Sequence, residues 1–315
     1  MAKRKFRTIV IAAMLAAGLS LSACGGGNDS STSSANSGTP VKGQTITWGI
    51  EKEPETLNPQ TNAQDSSTPI LRNLTDSYLY LADDGSYQPW LASAYKQSDD
   101  QKTIDLTLRQ DVTFSDGEKF DADAVIANFD YYASKNNSKP ATWQEYLDSW
   151  KKTGDYSVEF TLKQVYPGFL AALSDLSTAP ISPESLKDSK ELAAGGKSVA
   201  LTGPYTIKEY KQGSQLTLEA RSDYKWAPQA LSKQLKSKES LPFAKELVFR
   251  FLPEASTRTG ALTSGQVDII NGVPSQDINQ IKSNGKFDYY QVLNSGTAFL
   301  ILQYDQGSIQ RCECA

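Results

Sequence analysis

Leu91-Ala92-Ser93-Ala94-Tyr95, followed across a short gap by Leu108-Arg109-Gln110-Asp111-Val112-Thr113-Phe114-Ser115-Asp116-Gly117-Glu118-Lys119-Phe120-Asp121-Ala122-Asp123-Ala124-Val125, decides how this chain folds. Leading into the second block, Ile104, Leu106 and Leu108 alternate with polar residues, the period-two pattern of a half-buried strand. The strand signal resumes at Val112 and Phe114, and Ser115-Asp116-Gly117 then turns the chain. Asp121 suits a helix N-cap, and Asp123 puts a negative charge in the first turn, where the helix dipole favours one. Val125, Phe129 and Tyr132 follow as an apolar stripe at helical spacing. Strand, turn and capped helix in succession predict a mixed α/β fold.

The same alternation of signals runs outward in both directions without internal repeats. Towards the N-terminus, Ile46, Trp48 and Ile50 alternate with Thr47 and Gly49, predicting a strand that ends near Glu51. Ser66 to Tyr80 suits a helix with Ile70, Leu74, Tyr78 and Leu81 on one face, and Asp83-Asp84-Gly85 is a turn. Towards the C-terminus, Tyr156, Val158, Phe160 and Leu162 alternate as a strand. Tyr205 to Leu218 reads as a hairpin turning at Gly213. Val248–Phe251 is a strand, Glu254–Thr263 a short helix capped at Gly265, and Val267–Ile270 a strand again.

Composition narrows the chemistry. The chain has 315 residues, 39% hydrophobic and 22% charged, enough for two domains with sizeable cores. It contains no histidine, which removes Ser-His-Asp triads and His-ligated zinc. Its three cysteines are Cys24, Cys312 and Cys314, a spacing that excludes a disulfide framework; Cys312-x-Cys314 alone does not close a zinc site. The net charge of −4 comes without the basic patch that nucleic acid requires. No metal and no cofactor is expected.

Residues 1–23 read as an address. Lys3, Arg4, Lys5 and Arg7 form a basic region, and the apolar run from Ile9 to Leu21 is short for a membrane span. Leu21-Ser22-Ala23-Cys24-Gly25 resembles the lipobox of bacterial lipoproteins, which implies cleavage before Cys24 and lipidation of its thiol. Residues 24–42, with Gly25-Gly26-Gly27 and many Ser, Gly and Asn residues, read as a flexible tether. A lipid anchor and tether imply a globular body on the outer face of the cytoplasmic membrane.

Several ordered segments carry a family resemblance. The opening stretch is one, and Gly203-Pro204-Tyr205 with Leu216–Glu219 and Arg221-Ser222-Asp223-Tyr224-Lys225-Trp226 is a second. Ala261-Leu262-Thr263-Ser264-Gly265-Gln266-Val267-Asp268-Ile269 is a third, and Glu53-Pro54-Glu55-Thr56-Leu57-Asn58-Pro59 follows the first strand. Together they resemble the family 5 solute-binding proteins, the dipeptide, oligopeptide and nickel receptors of ABC importers. Arg221-Ser222 departs from the family's usual "NPDYW" element. The resemblance implies a type II periplasmic-binding-protein-like α/β fold. Residues 43–80 and 195–305 would form a discontinuous N-terminal lobe and 81–194 an inserted domain, with the second lobe largely missing. It further implies a monomeric receptor, not an enzyme, that captures a peptide or other small solute and hands it to membrane permease subunits. Lys52 and Glu53 are placed as backbone contacts to an extended ligand. Tyr131, Tyr132 and Trp143 are aromatic candidates to line the pocket.

Residues 306–315 depart from the family pattern, and a frameshift that truncates a longer receptor is expected to account for this tail; a residual lobe without transport activity is the alternative. An enzyme reading also has to be weighed. Ser93-Ala94-Tyr95-Lys96, Ser134-Lys135-Asn136 and Lys152-Thr153-Gly154 match, in order, the motifs of serine penicillin-recognising enzymes. The short interval from Ser134 to Lys152 counts against it, as does the place of Ser93 inside the signature stretch. Gly195-Gly196-Lys197-Ser198 contains G-K-S, but Glu191 stands where a phosphate-binding loop needs glycine.

Overall fold

The computed structural model describes residues 43–62, 64–134, 142–193, 198–229, 231, 242 and 244–290. The strands, in chain order, are β1 (Thr45–Ile50), β2 (Leu79–Leu81), β3 (Tyr87–Pro89), β4 (Ala92–Gln97), β5 (Thr103–Leu108), β6 (Leu147–Gly154), β7 (Ser157–Leu162), β8 (Tyr205–Lys211), β9 (Gln215–Ala220), β10 (Glu246–Phe251) and β11 (Ile269–Ile270). The helices are α1 (Thr68–Leu74), α2 (Ala122–Ala133), α3 (Thr142–Tyr146), α4 (Gly168–Ser174), α5 (Pro183–Lys187), α6 (Ser189–Ala193), α7 (Ala255–Thr263) and α8 (Ile278–Ser283).

Two sheets organise the fold. One runs β11-β1-β10-β9-β8, with β1 parallel to both its neighbours and the remaining pairs antiparallel. Its alternation puts Ile50, Leu216, Leu218, Phe249 and Phe251 into a core closed by Leu57, Ile70 and Leu74. Trp48 stacks on Phe249 with ring centroids 5.6 Å apart. The β8–β9 hairpin turns at Gly213, whose φ of +70° favours glycine. On the opposite face, α7 and α8 close a small core of Ala261, Leu262, Val267 and Ile281.

The second sheet runs β4-β5-β7-β6, antiparallel throughout. Its buried positions alternate as the sequence predicts: Ile104, Leu106 and Leu108 from β5, Val158, Phe160 and Leu162 from β7. Helix α2 covers that face. The Asp121 carboxylate accepts from the Ala124 amide at 3.0 Å, and Val125, Phe129 and Tyr132 are buried. Asn128 ties α2 to the chain beyond it: its side chain accepts from the Ile181 amide and the Gln60 amide group, and donates to the Ile181 carbonyl.

The structure corrects two expectations. The helix predicted over Ser66–Tyr80 stops at Leu74; Thr75–Ser77 are buried in extended chain, and β2 begins at Leu79, leaving Leu81 49% exposed. Val112 and Phe114 enter no strand but flank a tight loop with a single Thr113–Lys119 bridge. The signal segment 1–23, Cys24, the tether 24–42, Gly195–Lys197 and the tail 306–315 lie outside the described residues.

Candidate functional site

In α/β sheets ligands bind in the crevice beyond the carboxyl ends of parallel strands. Here β1, β10 and β11 end side by side, and one buried side chain holds the turns that follow them. Arg258, from α7, is 4% exposed. Its Nε donates to the Asn271 carbonyl at 3.0 Å, Nη1 to those of Leu252 and Pro253 at 2.7 Å each, and Nη2 to that of Gly272 at 3.1 Å. Glu51 Oε1, just past β1, lies 4.0 Å from Nη2. The guanidinium is a planar fork of five donors, so it can bond four carbonyls in two separate turns at once, with its charge near Glu51, where lysine could not. Gly272 has φ +63°, and a Cβ there would lie 2.1 Å from Glu51 Oε1. Trp48 Nε1 donates to Asn271 Oδ1 at 2.8 Å, fixing the Asn271 side chain at the strand ends.

A cavity of about 1090 Å³ opens at this place, lined by Glu51, Asp268, Asn271, Lys286, Tyr289 and Tyr290 among others. Tyr290 is 85% exposed, and Lys282 Nζ sits 4.5 Å from the Tyr289 ring centroid. The lining mixes carboxylates, an amide, an ammonium and aromatic rings with aliphatic side chains such as Leu262, Ile270 and Val273. That combination suits a small ligand that carries both polar and apolar groups.

A second cavity of about 730 Å³ lies over the Trp48 face of the five-stranded sheet, walled by Trp48, Trp90, Leu247 and Ile269, with Arg72 and Asp76 at its polar end. The Asp76 carboxylate accepts from Trp226 Nε1 at 2.8 Å and is bonded to the Tyr224 hydroxyl at 3.1 Å. Complete burial pushes it up to about 7, against the pull of the hydrogen bonds from Trp226, Tyr224 and Thr202 and the charge of Arg72.

The residues singled out from sequence scatter. Lys52 pairs with Glu55 at 3.0 Å in solvent, beside the strand-end cavity but outside its lining. Glu53 is occupied in holding the β8–β9 hairpin, accepting from the Tyr210 hydroxyl at 2.7 Å and the Gly213 amide at 2.9 Å. Tyr132 and Trp143, named as aromatic candidates, are placed away from both cavities. Both are in the aromatic core under the four-stranded sheet, 5% and 4% exposed, with centroids 5.1 Å apart, and line neither cavity. Tyr131 is half-buried against the core of the five-stranded sheet and also lines neither. Sequence reasoning missed Glu51, Arg258, Asn271 and Gly272. The departure of the chain after each parallel strand was the available signal.

The family model described as bacterial extracellular solute-binding proteins, family 5 Middle, matches residues 86–310. The chain belongs to that family. The oligopeptide-binding protein AppA of Bacillus subtilis is 27% identical over 300 residues, covering 93% of this chain and 52% of its own length. The nickel-binding periplasmic protein of Escherichia coli is 32% identical over 193 residues, 60% of this chain and 34% of that one. The structure of Bacillus subtilis AppA in complex with a nonapeptide superposes with a TM-score of 0.66 at 26% identity, covering 78% of this chain and 47% of that chain. The chain thus spans about half the length of the curated relatives it matches, and its architecture is the α/β fold of periplasmic binding proteins.

In this family 5 chain the signature residues hold the frame. Asp116 accepts from the Glu118 amide and the Ser182 hydroxyl, stapling the signature turn to the start of α5. Gly203 lies against the end of α1: a Cβ there would meet the Leu74 carbonyl carbon at 2.3 Å. Arg221, the departure from the family pattern, is buried, donates to the carbonyls of Thr113, Phe114 and Leu201, and pairs with Asp223. The penicillin-enzyme motifs do not converge. Ser93 and Lys96 are on β4 and Lys152 on β6, opposite edges of one sheet, about 14 Å apart at ordinary strand spacing. Ser93 donates to the Thr107 carbonyl, and Lys152 pairs with Asp123 and Asp155. Among the described residues no cluster of three or more acidic or cysteine side chains could hold a metal, and no helix is long and apolar enough to cross a membrane.

Proposed function

We propose that this chain supplies the N-terminal lobe, with its inserted domain, of an extracytoplasmic solute-binding receptor for an ABC importer, and that the solute is most simply a peptide. Residues 43–80 and 195–305 are the lobe in this reading, and 81–194 the insert. Cys24 carries the lipid that anchors the protein on the outer face of the cytoplasmic membrane; the receptor is a monomer, delivers its solute to permease subunits and catalyses nothing. The observation that carries the reading is the cavity at the ends of the parallel strands, beside turns that Arg258 holds in place. Lys52 and Glu53 lie on the same strand exit, and their backbone groups are the proposed partners of an extended ligand. AppA, named as oligopeptide-binding and solved with a nonapeptide, supports a peptide over the nickel of the other relative. Calorimetric titration with a mixture of short peptides, and separately with a nickel–histidine complex, tests it. Heat with peptides alone supports the reading; heat with nickel–histidine alone replaces the solute. No heat with either supports a residual lobe that does not bind by itself.

A further inference from the structure

We propose that Asn284–Gly285 is a site of spontaneous deamidation, while the fold protects the identical pair Asn271–Gly272 from the same reaction. The chemistry does not depend on solute binding. An asparagine followed by glycine is especially open to it, because glycine sets no side chain in the way of its own amide nitrogen and leaves the backbone free to turn. Among the described residues only these two asparagines precede a glycine.

The reaction needs no partner but water. The glycine nitrogen attacks asparagine Cγ and closes a cyclic imide. The bond from Cγ to Nδ2 breaks, and ammonia leaves with the proton that the glycine amide gives up. Water then opens the ring at either carbonyl, its hydroxyl going to carbon and its proton to nitrogen, and aspartate or isoaspartate results. Ring closure requires the asparagine side chain to swing over the following peptide, so whatever holds that side chain and that peptide sets the rate.

At Asn284, just past α8, the side chain makes no hydrogen bond to a described residue. Its carbonyl accepts from the Lys286 amide, a bond inside the same bend. Gly285 is exposed, and nothing lies within 4 Å of where its Cβ would stand. At Asn271 distant residues hold both parts. Trp48 Nε1 donates to Oδ1 at 2.8 Å, and the Trp48 ring is itself stacked on Phe249. The Asn271 amide donates to the Gly49 carbonyl at 3.2 Å, and buried Arg258 donates to the carbonyls of Asn271 and Gly272 at 3.0 and 3.1 Å. To bring Cγ onto the Gly272 nitrogen, the side chain has to leave Trp48 and strain the turn that Arg258 holds. Conversion of Asn284 reaches the candidate site. It adds a carboxylate beside Lys286, and the isoaspartate form lengthens the main chain that leads into Lys286–Tyr290, which line the strand-end cavity.

Peptide mapping by mass spectrometry of the full chain, stored folded in mildly alkaline buffer, tests the assignment. The Asn284 peptide should gain aspartate and isoaspartate at least about tenfold faster than the Asn271 peptide, the factor that breaking one hydrogen bond supplies. In urea the two rates should converge. Equal rates in the folded chain, or a difference that persists in urea, overturn the proposal. Trp48→Phe keeps a ring against Phe249 and removes the donor to Asn271. It should raise the Asn271 rate several-fold; an unchanged rate in a variant whose far-ultraviolet dichroism stays native counts against the proposal.

Discussion

Asp76 makes the stability of this protein fall as pH rises through neutrality. Its ordinary value is 3.8 and burial lifts it to about 7, so the folded state keeps a proton that the unfolded state has released. The stabilising effect of that proton is complete below about pH 4, declines between about pH 4 and pH 7, and is gone above. Each pH unit in the interval is worth about 1.4 kcal/mol, and integration from about pH 5 to pH 7.5 gives a loss of about 2–3 kcal/mol. The sequence has no histidine, and Asp111 and Asp223, held below the usual carboxylate range by Arg109 and Arg221, titrate lower still. Their contribution has the opposite sign and is lost only on acidification below the interval. Free thiols ordinarily titrate above it, and a terminal amine only at its upper edge.

Urea unfolding measured at both ends of the interval reads this directly. With a slope of about 2–3 kcal/mol per molar, the midpoint should drop by about 1 M on going to the higher pH. Asp76→Asn keeps an acceptor for Trp226 and offers the Tyr224 hydroxyl a donor, imitating the protonated acid. It should abolish the slope and be the more stable protein at the alkaline end. A midpoint that does not move with pH in the parent chain, or the same slope surviving in Asp76→Asn, would refute the reasoning.

Other substitutions test other joints. Gly203→Ala drives a Cβ to 2.3 Å from backbone carbon of Leu74, backbone that cannot yield as a flexible side chain would; thermal unfolding should show a loss of about 3 kcal/mol or more. Arg258→Met strips the donors from four carbonyls, and a loss of about 3 kcal/mol in urea is expected. Arg258→Lys should recover only part of that loss, since a compact ammonium cannot reach all four carbonyls. Trp143→Ala should cost about 3–5 kcal/mol of stability, whereas Lys52→Ala, in solvent, should change it by less than about 0.5 kcal/mol.

The parts of this fold that were legible in the sequence are those whose cause is local. Asp121 caps α2 because the side chain and the amide it accepts from are three residues apart. Gly213 turns a hairpin whose two strands flank it. The helix over Ser66–Tyr80 misled because what ends it is distant. Asp76 is drawn into the interior by Thr202, Tyr224 and Trp226, more than a hundred residues later, and the chain must leave the helix at Leu74 to reach them. The surroundings of the aromatic candidates were illegible for a related reason. Tyr132 and Trp143 look the same in sequence whether a ring meets solvent or Phe129, and only the packing of α2 on β7 decides.

The candidate site was hidden for the strongest version of that reason: its elements are strand exits near positions 51, 252 and 271, brought together by sheet order and held by an arginine between the last two. Arg258 carries no motif of its own. Its five donors meet main-chain carbonyls, which every residue has, so no pattern of side chains announces it. The residues through which sequence can see that geometry are the ones that make the backbone possible there: Gly272 with its positive φ, and Arg258, which donates to its carbonyl.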